Sequence, residues 1–223
     1  MDIDFTELAE VVKREGVKLV IFSNPCNPTG VLEKREDVLK FVSETDAIVV
    51  ADEAYMEFAR NGGASVIDQV ENFDNLIVLK TVSKIGLAGL RCGFAIANKT
   101  LISALKKTKS PYNMNTVTQA AVAAALRNFG GISENVELIR RETAGLYTAL
   151  SADAEQGGYT VRPSDTNFVW VRFADADRGN RIAVALRQKG ISVRNMRGNL
   201  RITAGTPEEC AELAREFALA VKV

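Results

Sequence analysis

Three short apolar runs, each followed at once by a polar cluster, constrain the fold of this chain more than any other feature. They are Val17 to Phe22, Ala47 to Ala51, and Asn75 to Lys80 with Leu76-Ile-Val-Leu79 at its centre. Near-continuous apolar runs of this length suit parallel strands covered on both faces. Between them lie segments with helical spacing. Thr6 to Gly16 places Leu8, Val11 and Val12 on one face, with Gly16 as the stop, and Glu33 to Thr45 turns Val38, Leu39 and Val42 inward. The alternation predicts an α/β fold with a mostly parallel sheet and helices on both faces. In such sheets ligands gather at the C-terminal ends of strands. The polar clusters fall there: Asn24-Pro-Cys-Asn-Pro-Thr-Gly30, Asp52-Glu-Ala-Tyr55 and Thr81-Val-Ser-Lys84. Asn61-Gly-Gly63 reads as a turn and Ser65 to Asn72 as a short helix. Arg91 reads as the first residue of a fourth strand ending at Ala97.

The second half is patterned differently. Helices are expected over Thr100 to Lys107, Thr116 to Asn128 and Ser133 to Leu150. The middle one is rich in alanine, which predicts deep packing or a subunit contact. Strands are expected at Tyr159 to Arg162, Asn167 to Arg172, Ile191 to Arg194 and Leu200 to Thr203. A helix covers Arg178 to Lys189, and Thr206-Pro207 opens the last one as N-cap and first-turn proline. The expected organisation is a first domain over 1–130, a linking helix over 131–152 and a small α+β domain over 153–223.

Composition narrows the chemistry. Lys+Arg and Asp+Glu are 28 each, so charge gives no reason to expect nucleic acid or an anionic membrane as partner. Histidine is absent, which removes His-based triads and His-ligated metals. Cys26, Cys92 and Cys210 are odd in number and widely spaced. They suggest a reducing compartment and no structural zinc. No apolar run approaches the ~18 residues of a membrane span. The acidic first residues lack a signal-peptide pattern. A cytoplasmic location is the expectation.

The polar clusters hold the groups that pyridoxal phosphate requires. Lys84 offers an amine for a Schiff base. Asp52 offers an acid for the ring nitrogen. Tyr55 and Asn27 can reach the 3′-oxygen, and Thr81, Ser83 and Arg91 can hold phosphate. Each has a plainer reading: Lys84 as a surface lysine, Asp52 as a turn cap, Tyr55 as core, the Pro/Asn loop as a backbone turn, Arg91 and Arg201 as ion-pair residues. The order and spacing of the whole set favour the cofactor reading.

These motifs, with Gly89-Leu-Arg-Cys-Gly93, Pro111-Tyr-Asn113, Thr166-Asn-Phe-Val169 and Leu200-Arg-Ile-Thr-Ala-Gly-Thr206, resemble the fold-type-I aminotransferases of classes I and II. The chain looks most like the histidinol-phosphate branch. The resemblance implies a pyridoxal-phosphate enzyme that moves an amino group between an amino-phosphate and 2-oxoglutarate, usually as a homodimer. It makes Lys84 the Schiff-base residue and proton shuttle, Asp52 the partner of the ring nitrogen, and Asn27 and Tyr55 the 3′-oxygen donors. Thr81, Ser83 and Arg91 fall to the phosphate, Arg201 to the substrate α-carboxylate and Arg194 to the substrate phosphate, with Arg197 as its alternative.

The resemblance also implies that residues 1–130 are only part of a large cofactor domain. The family's N-terminal portion has no counterpart here. That portion carries a glycine-containing phosphate turn, an aromatic group that stacks on the ring and a tyrosine that reaches across subunits. A sheet with an exposed edge is therefore expected. The sequence reads as a fragment of a longer enzyme or as a shortened product. A threonine-phosphate decarboxylase on the same scaffold and a non-catalytic remnant are the competing readings.

Overall fold

A computed structural model describes residues 3–60 and 65–222. The chain forms two compact units. One comprises the residues up to Pro25 together with Leu32–Asn135, the other Cys26–Val31 with Val136–Val223.

The first unit is a four-stranded sheet with helices on both faces. Helix α1 (Phe5–Glu15) starts at Asp4, whose carboxylate accepts the Thr6 and Glu7 N–H groups, and stops at Gly16 with φ 62°. Strand β1 (Leu19–Ser23), helix α2 (Arg35–Glu44), β2 (Ile48–Asp52), β3 (Leu76–Thr81) and β4 (Gly93–Ala97) follow. Sheet order is β1-β2-β3-β4, the first three strands parallel and β4 antiparallel to β3. Helices α1 and α2 bury Val12, Phe41 and Val42 against Val20, Val49 and Val78. On the other face Val50, Ile77 and Ala97 pack with Leu101 and Ile102 of α3 (Lys99–Thr108). That cover does not reach β1, where Leu19 and Ile21 remain 53% and 63% exposed. Helices α4 (Thr116–Arg127) and α5 (Phe129–Ser151) complete the α-helices that begin in this unit.

Some expectations change here. The fourth strand begins at Gly93, not Arg91. Arg91 has φ 51° and closes a short 3-10 turn over Ala88–Leu90, a conformation that cannot sit in a ladder. Helix α4 is not deeply packed, since only Val122 of its residues is buried. The segment Ser65 to Asn72 holds only a 3-10 turn at Ile67–Gln69. The turn expected at Asn61-Gly-Gly63 lies outside the described residues.

The second unit is an antiparallel sheet of order β5-β6-β8-β7, formed by Tyr159–Arg162, Phe168–Phe173, Asn199–Thr203 and Arg194–Met196. One face packs on the end of α5 and on α7 (Ala176–Gln188) and α8 (Pro207–Ala220), which follow the short α6 (Ala154–Gly157). Leu146, Leu150, Val169, Ile182, Leu200 and Phe217 form its core. The predicted cap of α8 is present as a full capping box between Thr206 and Glu209. The strand expected at Ile191 to Arg194 is displaced to Arg194–Met196. A two-residue turn, Arg197-Gly198 with φ 55° and 83°, then reverses the chain. Two successive positive φ values suit the right-handed twist of a hairpin. The loop Cys26–Val31 belongs to this unit because the Asp165 N–H donates to Gly30 O at 2.9 Å. Gly30 packs so closely on Ser164 that a side chain would collide with it.

Candidate active site

The parallel pairing of β1, β2 and β3 explains why the first unit gathers polar groups at one end. Ser23 pairs with Asp52 and Asp52 with Leu79, so the three strands end nearly level. Asp52, the last residue of β2, is half-buried. Its Oδ1 accepts the Ala54 N–H at 3.1 Å, the turn-capping role of the plainer reading, realised by one oxygen. The chain then enters a 3-10 turn, Met56–Phe58, anchored by buried Met56 and Phe58, and this turn holds Tyr55 buried.

Beyond β3 the backbone forms one wide helical turn over Ser83–Leu87, with Gly86 at φ 98° and Val82 and Ile85 buried as its anchors. Lys84 rides on this turn, half-buried, with Nζ 5.2 Å from the centroid of the Tyr55 ring. No carboxylate pairs with Lys84 among the described residues. The amine is thus held over an aromatic face. Thr81 Oγ1 donates to Cys92 O and accepts the Ser83 N–H, both at 3.1 Å. Thr81 thus braces the lysine turn. Arg91 is exposed, with Nη1 only 3.4 Å from Ala88 O.

Sequence reasoning missed the support beneath this cluster. Glu53, between Asp52 and Tyr55 in the chain, is 1% exposed. It accepts the Val66 N–H at 2.8 Å and the Ser65 hydroxyl at 2.6 Å, and pairs with Lys80 Nζ at 3.2 Å. Lys80 also bonds Glu57 at 2.9 Å. The legible signal was Lys80 itself, a cation at the end of an otherwise apolar strand.

In the second unit, Asn27 and Arg201 meet: Nη1 donates to Asn27 Oδ1 at 2.8 Å. Arg201 also stacks 4.8 Å over the Phe168 ring, while its buried Nε has no partner among the described residues. The register aligns Arg162, Trp170, Arg201 and Arg194 in one row across the sheet, on the face away from the core. Arg194 and Arg201 are thus direct cross-strand neighbours, brought side by side by the tight hairpin. Arg197 occupies the turn itself.

No described helix is long and apolar enough to cross a membrane.

The aminotransferase class I and II family model matches residues 1–217. A histidinol-phosphate aminotransferase of Thermoanaerobacter pseudethanolicus is 41% identical over 212 residues, covering 92% of this chain and 58% of its own length. One from Chlorobium chlorochromatii is 37% identical over 231 residues, covering 100% and 61%. Among solved structures, the histidinol-phosphate aminotransferase of Sinorhizobium meliloti in complex with pyridoxal-5′-phosphate superimposes with TM-score 0.86 at 28% identity, over 98% of this chain and 61% of that one. An L-threonine-O-3-phosphate decarboxylase from Porphyromonas gingivalis shares the fold, with TM-score 0.81 at 21% identity. The chain spans about three-fifths of the length of the curated relatives it matches. On the strength of the family match, which runs over almost all its length, this chain belongs to the class I and II aminotransferases.

Proposed function

We propose that this chain is the lysine-bearing part of a pyridoxal-phosphate aminotransferase of the cytoplasm. Its substrates are an amino-phosphate such as histidinol phosphate and 2-oxoglutarate. The observation that carries this reading is Lys84: half-buried at the end of β3, over the Tyr55 ring, without an ion-pair partner among the described residues. Half-burial and the lack of a carboxylate partner among the described residues leave its amine available to condense with an aldehyde. The donor set fits the cofactor. Within the first unit, Asp52 would hold a proton at the ring nitrogen, Tyr55 would bond the 3′-oxygen, and Ser83 and Arg91 would serve the phosphate, with Thr81 bracing the turn that carries Ser83.

When bound, pyridoxal phosphate supplies an aldehyde and an electron-accepting ring. The protein's own part is positioning and proton transfer. Lys84 would take the proton from the substrate Cα and return it two atoms away, at the cofactor's C4′. Asp52 would set its carboxylate against the ring nitrogen. Arg201 presents a planar fork to the α-carboxylate, a match lysine cannot make. Arg194, beside it, supplies charge for the phosphate of the substrate. The outer face of α4, with Val117, Ala120 and Ala124 exposed, suits contact with a second copy in a homodimer.

The test is to add pyridoxal phosphate, record the near-visible band, reduce with borohydride and map the modified peptide. Modification of Lys84 is expected. Modification of another lysine, or none at saturating cofactor, overturns the reading. Product analysis with L-histidinol phosphate and L-threonine phosphate then separates amino transfer from decarboxylation.

A further inference from the structure

Tyr55 and Lys84 leave the first sheet on separate segments, one after β2 and one after β3. The ladder between those strands runs one residue beyond β2, where the Glu53 N–H donates to Leu79 O at 3.0 Å. Past that point a side chain crosses the gap. Lys80 precedes Lys84 by one helical turn's worth of chain, and its Nζ lies 3.2 Å from Glu53 Oε2 and 2.9 Å from Glu57 Oε1. In sequence the two carboxylates flank Tyr55 symmetrically, Glu53 before it and Glu57 after it. One ammonium thus ties down the tyrosine segment on both sides. The bridge is shielded from water, with side-chain exposures of 1% at Glu53, 16% at Lys80 and 24% at Glu57. Its members are not equivalent. Glu53 is also held by the Val66 N–H on Oε1 and the Ser65 hydroxyl on Oε2. Among the described residues Glu57 has Lys80 as its ion-pair partner, and its Oε2 is buried without a hydrogen bond. Glu53 is the fixed post, Lys80 the link and Glu57 the arm that follows it.

We propose that Lys80 and Glu57 are positioning residues for Lys84: with Glu53 they form a buried bridge of alternating charge that fixes the Tyr55 ring against the Lys84 amine. An ammonium has three donors and no acceptor, so Lys80 is satisfied here only while both carboxylates stay within reach. That requirement holds the end of β3, and the lysine turn that follows it, at a set distance from the tyrosine turn. Buried ion pairs are weak sources of net stability, and their better-attested use is to select one arrangement among several. Here the arrangement selected is the one that leaves Nζ of Lys84 over an aromatic ring. Met56 and Phe58 anchor the same turn by burial, so packing alone is the competing account. The inference rests on the reading of Lys84 as the amine that takes the cofactor's aldehyde, and its first test needs no cofactor.

The experiment reads the contact itself by NMR in the full chain. The Lys84 ε-methylene, assigned with Lys84→Arg, is expected upfield of the other lysines and in cross-relaxation with the Tyr55 ring protons. Lys80→Met alone would strand two carboxylates. The triple variant Lys80→Met, Glu53→Gln, Glu57→Gln removes all three charges and is expected to stay folded, because no buried charge is left unpaired. In it the upfield displacement and the cross-relaxation are expected to disappear. Lys80→Arg, whose guanidinium can also span two carboxylates, is expected to keep both. In a parallel assay with pyridoxal phosphate and borohydride, the rate of trapping at Lys84 should fall about tenfold or more in the triple variant and stay near the parent's in Lys80→Arg. A contact that survives in the triple variant overturns the proposal in favour of packing. Equal loss in Lys80→Arg overturns it as well, since the charge bridge would not then set the distance. So does a lost contact with unchanged trapping. A parent chain that traps no cofactor at Lys84 instead overturns the aldehyde reading, and the cofactor-free contact still decides whether the bridge positions the amine.

Discussion

Arg201 and Asn27, 174 positions apart in sequence, hold each other through a 2.8 Å bond from guanidinium to amide oxygen. The resemblance gives them different ligands, yet each is the other's partner in the second unit. Arg201 also lies over Phe168 and keeps Nε unpaired among the described residues, so one edge of its donor fork is uncommitted. Arg201→Lys removes the planar fork. Exchange of the Gly30 amide, in the loop that Asn27 tethers, is expected to rise about tenfold, the equivalent of one lost charge-assisted bond. Unchanged exchange would show that the contact does not restrain the loop.

Glu53 joins three chain segments: its own loop, residues 65 and 66, and Lys80 at the end of β3. Removing one partner of a buried ion pair leaves the other charge uncompensated. Glu53→Ala is therefore expected to lower unfolding free energy by about 3–5 kcal/mol, read as a lower urea midpoint. Glu53→Gln, which keeps an acceptor for the Val66 N–H, should lose less. Equal losses in the two variants would assign the effect to packing rather than charge.

Alkali should weaken the second unit. Burial raises the Cys210 thiol above its ordinary value of 9.0, and burial likewise raises the Tyr159 phenol above 10.0. Between each unfolded value and the higher folded one, the folded state binds more protons. Stability therefore falls as pH rises through that window and is fully present below it. Thermal melts from pH 8 to 11 are expected to show this decline. Cys210→Ala should delay its onset, leaving the tyrosine contribution. A melt independent of pH up to 10 in the parent chain would contradict the assignment.

Gly179, in the first turn of α7, has no room for a side chain because the Gly198 carbonyl and the Phe173 ring stand against it. One of these obstacles is backbone and cannot rotate away. Gly179→Ala is expected to cost about 1–3 kcal/mol despite the better helix propensity of alanine. Glycine to alanine at Gly131, which has open space around it within α5, should instead stabilise by several tenths. Equal effects at the two sites would show that the crowding is relieved by local movement.

Much of the fold was legible because the relevant signals are local. Val17 to Phe22 and its two successors declared themselves by apolar continuity, and Thr206-Pro207 by capping chemistry. The level ends of β1 to β3 follow once the strands are parallel, which is why Asp52 and the lysine turn could be placed from sequence. What escaped depends on contacts distant in the chain. Arg91 looked like a strand residue because nothing in its neighbours announces a positive φ. Glu53 looked like part of a polar motif, and only Ser65, Val66 and Lys80, brought to it by the fold, reveal it as a buried anchor. Helix α4 reads as a packing helix by composition, but composition does not say which molecule does the packing. The hairpin at Arg197-Gly198 was hidden for the same reason as Arg91: arginine rarely adopts the conformation it takes there.

That hairpin works as a ruler. With two residues in the turn, Arg194 must stand opposite Arg201, their Cα atoms about 5.5 Å apart if the pair is hydrogen-bonded. Side chains alternate faces along a strand, so a slip of one residue in β7 would put Asn195 opposite Arg201 and send Arg194 to the far side of the sheet. The separation of the two cations is thus written in the length of the turn. Lengthening it by a single residue would change the spacing of positive charge that the face presents, with every arginine still in place.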